Sequence, residues 1–158
     1  MPIQYTRPLQ AVMTDDLQER LCRSLAEFPE LADTKIKVGL TKSAEGTAEA
    51  ENMVIRLNVR RRTPVSYFTI GHELTHLLQS GGLRIVPSGE IQCDVWTLAR
   101  SDLFLDDHPT YLCPHLWTRS NWRDHASNVR ALCIKAIELR KTNREYLVWL
   151  SDALKRHR

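Results

Sequence analysis

The sequence has no apolar run long enough to cross a bilayer, which takes ~20 consecutive residues as a helix. No early apolar run resembles a secretion signal either. It also has no Cys-x-x-Cys pair: Cys22, Cys93, Cys113 and Cys133 stand far apart. Without a secretion signal these four are expected to be reduced thiols of a cytoplasmic protein. A large excess of one charge is missing as well. The formal net charge of +3 is too small to imply a nucleic-acid partner by itself. What remains is ordinary: 158 residues, 42% of them hydrophobic, enough for one compact domain with a real core. The expectation is a single domain over 1–158, with a core over about 14–106 and a helical part over about 120–157.

The chain is organised around Phe68-Thr69-Ile70-Gly71-His72-Glu73-Leu74-Thr75-His76-Leu77-Leu78, which contains His-Glu-x-x-His. Residues four apart on a helix share a face. His72 and His76 can therefore reach one metal ion, and Glu73, one step round the helix, can reach a water at that metal. The alternative is a surface helix with two exposed imidazoles. Phe68, Ile70, Leu74, Leu77 and Leu78 argue against it, because they predict a buried helix whose polar groups need partners.

A third ligand is expected downstream. Ser88-Gly89-Glu90-Ile91-Gln92-Cys93-Asp94 reads as an N-cap and the first turn of a second helix. Glu90 and Asp94 share a face of it. Glu90 can ligate the metal, and Asp94 can accept the free N–H of a ligand imidazole. The plainer alternative is that both acids merely suit a helix N-terminus.

The pattern His72-Glu73-x-x-His76 followed by Glu90-x-x-x-Asp94 resembles that of gluzincin zinc metallopeptidases. Its surroundings, through Glu-Ile-Gln-Cys-Asp-Val-Trp, are similar to the ImmA/IrrE-like and minigluzincin (minimal-scaffold) enzymes. Thr75 stands where the ImmA-type motif commonly has glycine. The resemblance covers roughly Met53 to Leu103. It implies one zinc ion per chain on His72, His76 and Glu90, with Glu73 as the base and Asp94 behind a ligand imidazole. It also implies that the strand before the metal helix borders the cleft and pairs with an extended substrate.

Elsewhere the periodicities are plainer. A helix capped by Thr14 or Asp15 runs to about Glu27, with Leu17, Leu21, Leu25 and Phe28 as its stripe. Met1–Met13 has no period and reads as an extended lead-in. Residues 35–40 and 53–59 alternate as two strands able to form a hairpin, with a turn at Ser43–Thr47. The 53–59 strand is expected to offer an open edge to a peptide; the alternative is that it is internal. Arg60-Arg61-Arg62 either favours acidic substrate residues or a phosphate backbone, or is simply solvated. Thr63-Pro64 is expected to open the metal helix and Gly81-Gly82 to close it. Residues 121–141 and 143–155 read as two amphipathic helices. From Pro114 onward, ten Lys/Arg face four Asp/Glu, which permits nucleic acid but matches no motif for it.

The least regular stretch, Asp106–Ser120, holds candidates for a donor to the oxyanion of peptide hydrolysis: Tyr111, His108 and His115, followed by His125. No spacing rule chooses among them. Cys113-Pro114-His115 is too small a set to complete a second zinc site. This stretch, or the helices ending at Arg158, can lie over the cleft as a latency device; the alternative is that both complete the core.

The expected fold is therefore α+β and zincin-like: a small antiparallel sheet on the HExxH helix, a glutamate helix and two C-terminal helices. The expected function is a zinc-dependent metalloendopeptidase using Glu73 as general base. The alternative is a regulatory or nucleic-acid-associated protein whose metal site performs little general proteolysis.

Overall fold

The structure, a computed structural model, describes residues 3–80 and 83–157. The predicted stop at Gly81-Gly82 and the terminal Arg158 lie outside the described residues. The chain is α+β, with a four-stranded mixed sheet and six α-helices among the described residues. None of the helices is long and apolar enough to cross a membrane.

The lead-in is not structureless. Ile3–Tyr5 forms strand β1 and Arg7–Gln10 a short helix, α1. Helix α2 (Asp15–Ala26) begins where expected: the Thr14 hydroxyl accepts from the Leu17 N–H at 3.2 Å. Leu17 and Leu21 are buried on it, and Phe28, just beyond its end, is fully buried. Strands β2 (Ile36–Leu40), β3 (Gly46–Glu49) and β4 (Val54–Leu57) complete the sheet.

The strand order β1-β2-β4-β3 corrects two expectations. The stretches 35–40 and 53–59 do pair, but in parallel, with Val38 opposite Ile55. They are not a hairpin, and the sheet is not purely antiparallel. The hairpin is made instead by β3 and β4, with Gly46 opposite Leu57. The predicted turn around Gly46 therefore runs directly into a strand. β4 is internal, as the alternative reading of 53–59 had it, and β3 is the edge strand on that side of the sheet. Both faces of β4 are covered: Val54, Ile55 and Leu57 are all buried.

Helix α3 (Tyr67–Leu77) carries the His-Glu-x-x-His residues. It starts later than Thr63-Pro64 suggested. Ser66 is the N-cap, its hydroxyl accepting from Thr69 N–H, while Thr63 and Pro64 lie in the preceding turn. Asp106 closes the same helix end, its two carboxylate oxygens accepting from Tyr67 N–H (2.8 Å) and Phe68 N–H (2.9 Å). An acid there satisfies two orphan donors and suits the helix dipole.

α3 lies between two hydrophobic cores. Ile70, Leu74, Leu77 and Leu78 pack with the sheet and α2. Phe68 packs with helices α4 (Glu90–Arg100), α5 (Trp122–Leu139) and α6 (Tyr146–Arg156). A helix clad on both sides must bury its polar groups too, and His72 and Glu73 are only 6% and 5% exposed. The exposed-helix alternative is thereby excluded. The buried Thr75 hydroxyl donates to Gly71 O at 2.8 Å and lies 2.8 Å from Thr97 Oγ1, which ties α3 to α4. The position where the resembling motif favours glycine thus holds an interhelical bond.

Candidate metal centre

α3 presents His72 and His76 one turn apart, their rings 4.8 Å between centroids and nearly perpendicular. α4 begins at Glu90 directly after Gly89, whose φ of +113° is a conformation open to glycine and strained for other residues. This abrupt entry brings Glu90 Oε2 to 3.0 Å from His72 Nε2 and 3.1 Å from His76 Nε2. Two imidazole nitrogens and one carboxylate oxygen thus face one point. A tetrahedral ion with bonds of ~2 Å holds its donors roughly 3.3 Å apart, so these separations fit one with little adjustment.

The far nitrogens are occupied. His72 Nδ1 lies 2.9 Å from Asp94 Oδ1, and His76 Nδ1 lies 2.8 Å from Gln79 Oε1. With acceptors there, each ring donates from Nδ1, and in its neutral form it keeps its lone pair on Nε2, the nitrogen that faces Glu90. Asp94 is fully buried and does more than suit a helix end. Its Oδ2 accepts from the N–H groups of Tyr111 and Leu112, both at 2.7 Å. One carboxylate therefore sets the His72 ring and anchors the 106–120 segment.

Cys93 is a further donor. His72, His76 and Cys93 offer ligand atoms within 4.8 Å of one another, a group that can hold a metal ion. Its Sγ, however, approaches His76 at Nδ1 (3.2 Å), the nitrogen that also meets Gln79. Burial, then the nearby carboxylates of Glu90, Asp94 and Glu73, push the Cys93 thiol pKa up and disfavour the thiolate. Glu90 is half-exposed and already ionised, its pKa lowered chiefly by the hydrogen bond to His72. The nitrogen–oxygen set is thus the better prepared of the two.

Glu73 sits beside this set, and its Oε2 is buried without a hydrogen-bond partner. Burial raises its pKa to about 7, against the lowering pull of His72 and with a further push from Glu90. The neighbour that shapes its niche was missed in the sequence. A Cβ on Gly46 would stand 2.7 Å from both Glu73 Cγ and Oε1. A side chain at Gly46 would force Glu73 or edge strand β3 to shift.

A cleft of about 560 Å³ opens over His72, His76, Glu73 and Glu90. Residues 44–48 form one wall, and Asp107, His108, Thr110, Tyr111 and Arg119 another. Of the donor candidates, Tyr111 and His108 line it. The Tyr111 ring stacks on His72 at 5.7 Å between centroids, with planes 23° apart. His115 and His125 are not among the lining residues. Nor, among the described residues, is any residue of α5 or α6, whose apolar faces build the second core with Trp117 and Trp122. The arginine run divides: Arg61 lines the cleft, while Arg62 pairs with the buried Asp107.

Comparison with protein-family models, with curated proteins and with solved structures returns no match for this chain.

Two expected results follow from this geometry. Burial opposes a charged His72, but its hydrogen bonds to Asp94 and Glu90 and the nearby carboxylates outweigh it and raise the pKa to about 9. Because the folded value lies above the ordinary 6.5, the proton on His72 stabilises the metal-free fold fully below that value. The contribution is lost as pH rises through about 9. A metal ion at Nε2 must displace that proton. In chelator-buffered titrations its apparent affinity is expected to rise about tenfold per pH unit and to level off near the His72 pKa. A flat profile over that window shows that His72 gives up no proton to the metal.

Asp94→Ala removes the acceptor of His72 Nδ1 and of two backbone N–H groups. Metal affinity is expected to fall by roughly 10- to 100-fold. Each buried N–H left unpaired costs ~1–3 kcal/mol of stability, a loss read by thermal unfolding of the metal-free protein. Unchanged affinity with lowered stability reduces Asp94 to an anchor for the 106–120 segment.

Proposed function

We propose that this protein is a zinc-dependent metalloendopeptidase of gluzincin type, similar to the ImmA/IrrE-like and minigluzincin enzymes. The observation that carries the reading is the meeting of His72 Nε2, His76 Nε2 and Glu90 Oε2, with the unpartnered Glu73 carboxylate buried beside them. Zinc suits two imidazoles and a carboxylate, and bound there it supplies a Lewis acid that acidifies water and polarises a carbonyl.

The chain's own groups then divide the work. Glu73, with a pKa raised to about 7, takes a proton from the attacking water and passes it to the leaving amine. Asp94 and Gln79 keep both imidazoles in the tautomer that leaves Nε2 open. Tyr111, on the wall against His72, is the donor best placed to meet negative charge developing on the substrate carbonyl; burial, then the charges of Glu90 and Asp94, raise its pKa and keep its hydroxyl protonated. Strand β3 offers its outer edge to an extended peptide of any sequence.

The direct test is zinc content together with cleavage of an unfolded substrate such as casein, before and after chelation and zinc return. Stoichiometric zinc with chelation-sensitive cleavage is expected. Zinc without cleavage supports a regulatory metal site instead. Gly46→Ala is expected to keep zinc but to lower kcat/KM by on the order of 100-fold, because it displaces Glu73 and the strand above it together. Full activity in that variant shows that the close approach of β3 is not needed.

A further inference from the structure

Gln79 lies two residues beyond the last residue of α3, in the turn that continues the helix through its N–H bond to His76 O at 3.1 Å. Its side chain makes three contacts. Oε1 is 2.8 Å from His76 Nδ1, while Nε2 is 2.6 Å from Pro87 O and 2.9 Å from Gly89 O. A carboxamide has one acceptor oxygen and two N–H donors. Backbone carbonyls can only accept, so both donors are committed to Pro87 and Gly89. The reversed orientation would set the amide oxygen against two carbonyl oxygens and is excluded. The oxygen therefore faces His76, and His76 Nδ1 must be the donor to it. The lone pair of a neutral His76 then resides on Nε2, the atom that faces Glu90.

The other half of the contact reaches Glu90 by a different route. Pro87 and Gly89 flank Ser88 in the turn that ends at the first residue of α4, Glu90 itself. Gly89 takes its left-sided φ of +113° there and lacks any side-chain cap. The two amide hydrogens of Gln79 are side-chain bonds that hold this turn to the end of α3. One side chain thus touches the imidazole of one prospective ligand and the backbone that delivers another.

We infer that Gln79 is a positioning residue that couples two ligands, holding His76 with Nε2 open while clamping the 87–89 turn so that Glu90 meets both histidines. The inference rests on the metal-centre reading above. It assigns His76 the counterpart of what Asp94 does for His72, but with a neutral amide that also organises backbone.

The test measures metal affinity, not turnover. In wild type, Gln79→Ala and Gln79→Glu, zinc affinity is read by chelator competition and ligand geometry by the visible spectrum of the cobalt-loaded protein. Circular dichroism and thermal midpoints of the metal-free proteins report folding. Gln79→Ala is expected to lose roughly 10- to 100-fold in zinc affinity and to change the cobalt spectrum. Gln79→Glu still accepts from His76 but cannot donate to the two carbonyls. It is expected to lose zinc affinity as well, because its second oxygen faces the two carbonyls and releases the 87–89 turn, and it carries the test if the alanine variant does not fold.

The coupling is read from a double-mutant cycle with Glu90→Ala. In that background Gln79→Ala is expected to cost clearly less than in wild type, because the clamp no longer has a ligand to deliver. Full additivity overturns the coupling. Wild-type affinity and spectrum in folded Gln79→Ala overturn the positioning role while leaving the metal centre intact. If wild type and His72→Ala alike bind no zinc, the metal-centre reading itself falls, and this inference with it.

Discussion

Glu73→Gln is expected to retain zinc and to lower kcat/KM by roughly two to four orders of magnitude, the usual worth of a positioned general base. Glutamine matches glutamate in shape, so the niche beneath Gly46 stays filled and β3 keeps its place. What disappears is a group that can accept a proton. Glu73 suits that task because burial lifts its pKa to about 7 while its Oε2 has no competing partner. The orphaned oxygen matters here, since burying a carboxylate without a hydrogen bond is costly and calls for a reason. Metal content by atomic absorption and cleavage of an unfolded substrate check the two halves separately. Unchanged turnover removes Glu73 from the role of base, whereas lost zinc shows that its carboxylate serves the metal directly.

The sequence exposed the centre of this molecule better than its frame. His72, Glu73 and His76 are spaced by the helix itself, so their common site follows from three residues and one periodicity. Glu90 and Asp94 were legible because they sit four apart just after a glycine that starts a helix. The frame was harder. Gly46-Thr47-Ala48-Glu49 has little of the β-branched, alternating character that marks a strand, and its pairing comes from β4 and from its place over α3. With β3 hidden, the two clearer strands looked adjacent in sequence and hence antiparallel. In the molecule β3 leaves for the edge and β4 returns parallel to β2. β1 was hidden because three residues carry too little pattern to read. Gln79 was illegible for another reason: two of its three bonds go to backbone carbonyls, which no side-chain pattern reports. The one available signal was its place three residues after His76, within reach on the same helical turn.

The ligand set gives the other large effect. His72→Ala and His76→Ala are each expected to abolish stoichiometric zinc. Glu90→Ala is expected to weaken binding by more than the roughly 10- to 100-fold that an outer partner costs. Cys93→Ser is expected to change it little. The contrast between Glu90 and Cys93 is decisive, because both stand near the two histidines and only their geometry separates them. Glu90 Oε2 meets both Nε2 atoms, at 3.0 and 3.1 Å. Cys93 Sγ meets His76 at Nδ1, is fully buried, and has its thiol pKa raised by that burial and by neighbouring carboxylates. To ligate from there it must lose a proton, and His76 must leave Gln79. Equilibrium dialysis with zinc, on variants whose fold is verified by circular dichroism, separates the cases. If Cys93→Ser loses the metal while Glu90→Ala keeps it, the ion belongs to the buried side of His76. Glu73 then has no metal beside it in the cleft, and the peptidase reading fails with the ligand assignment.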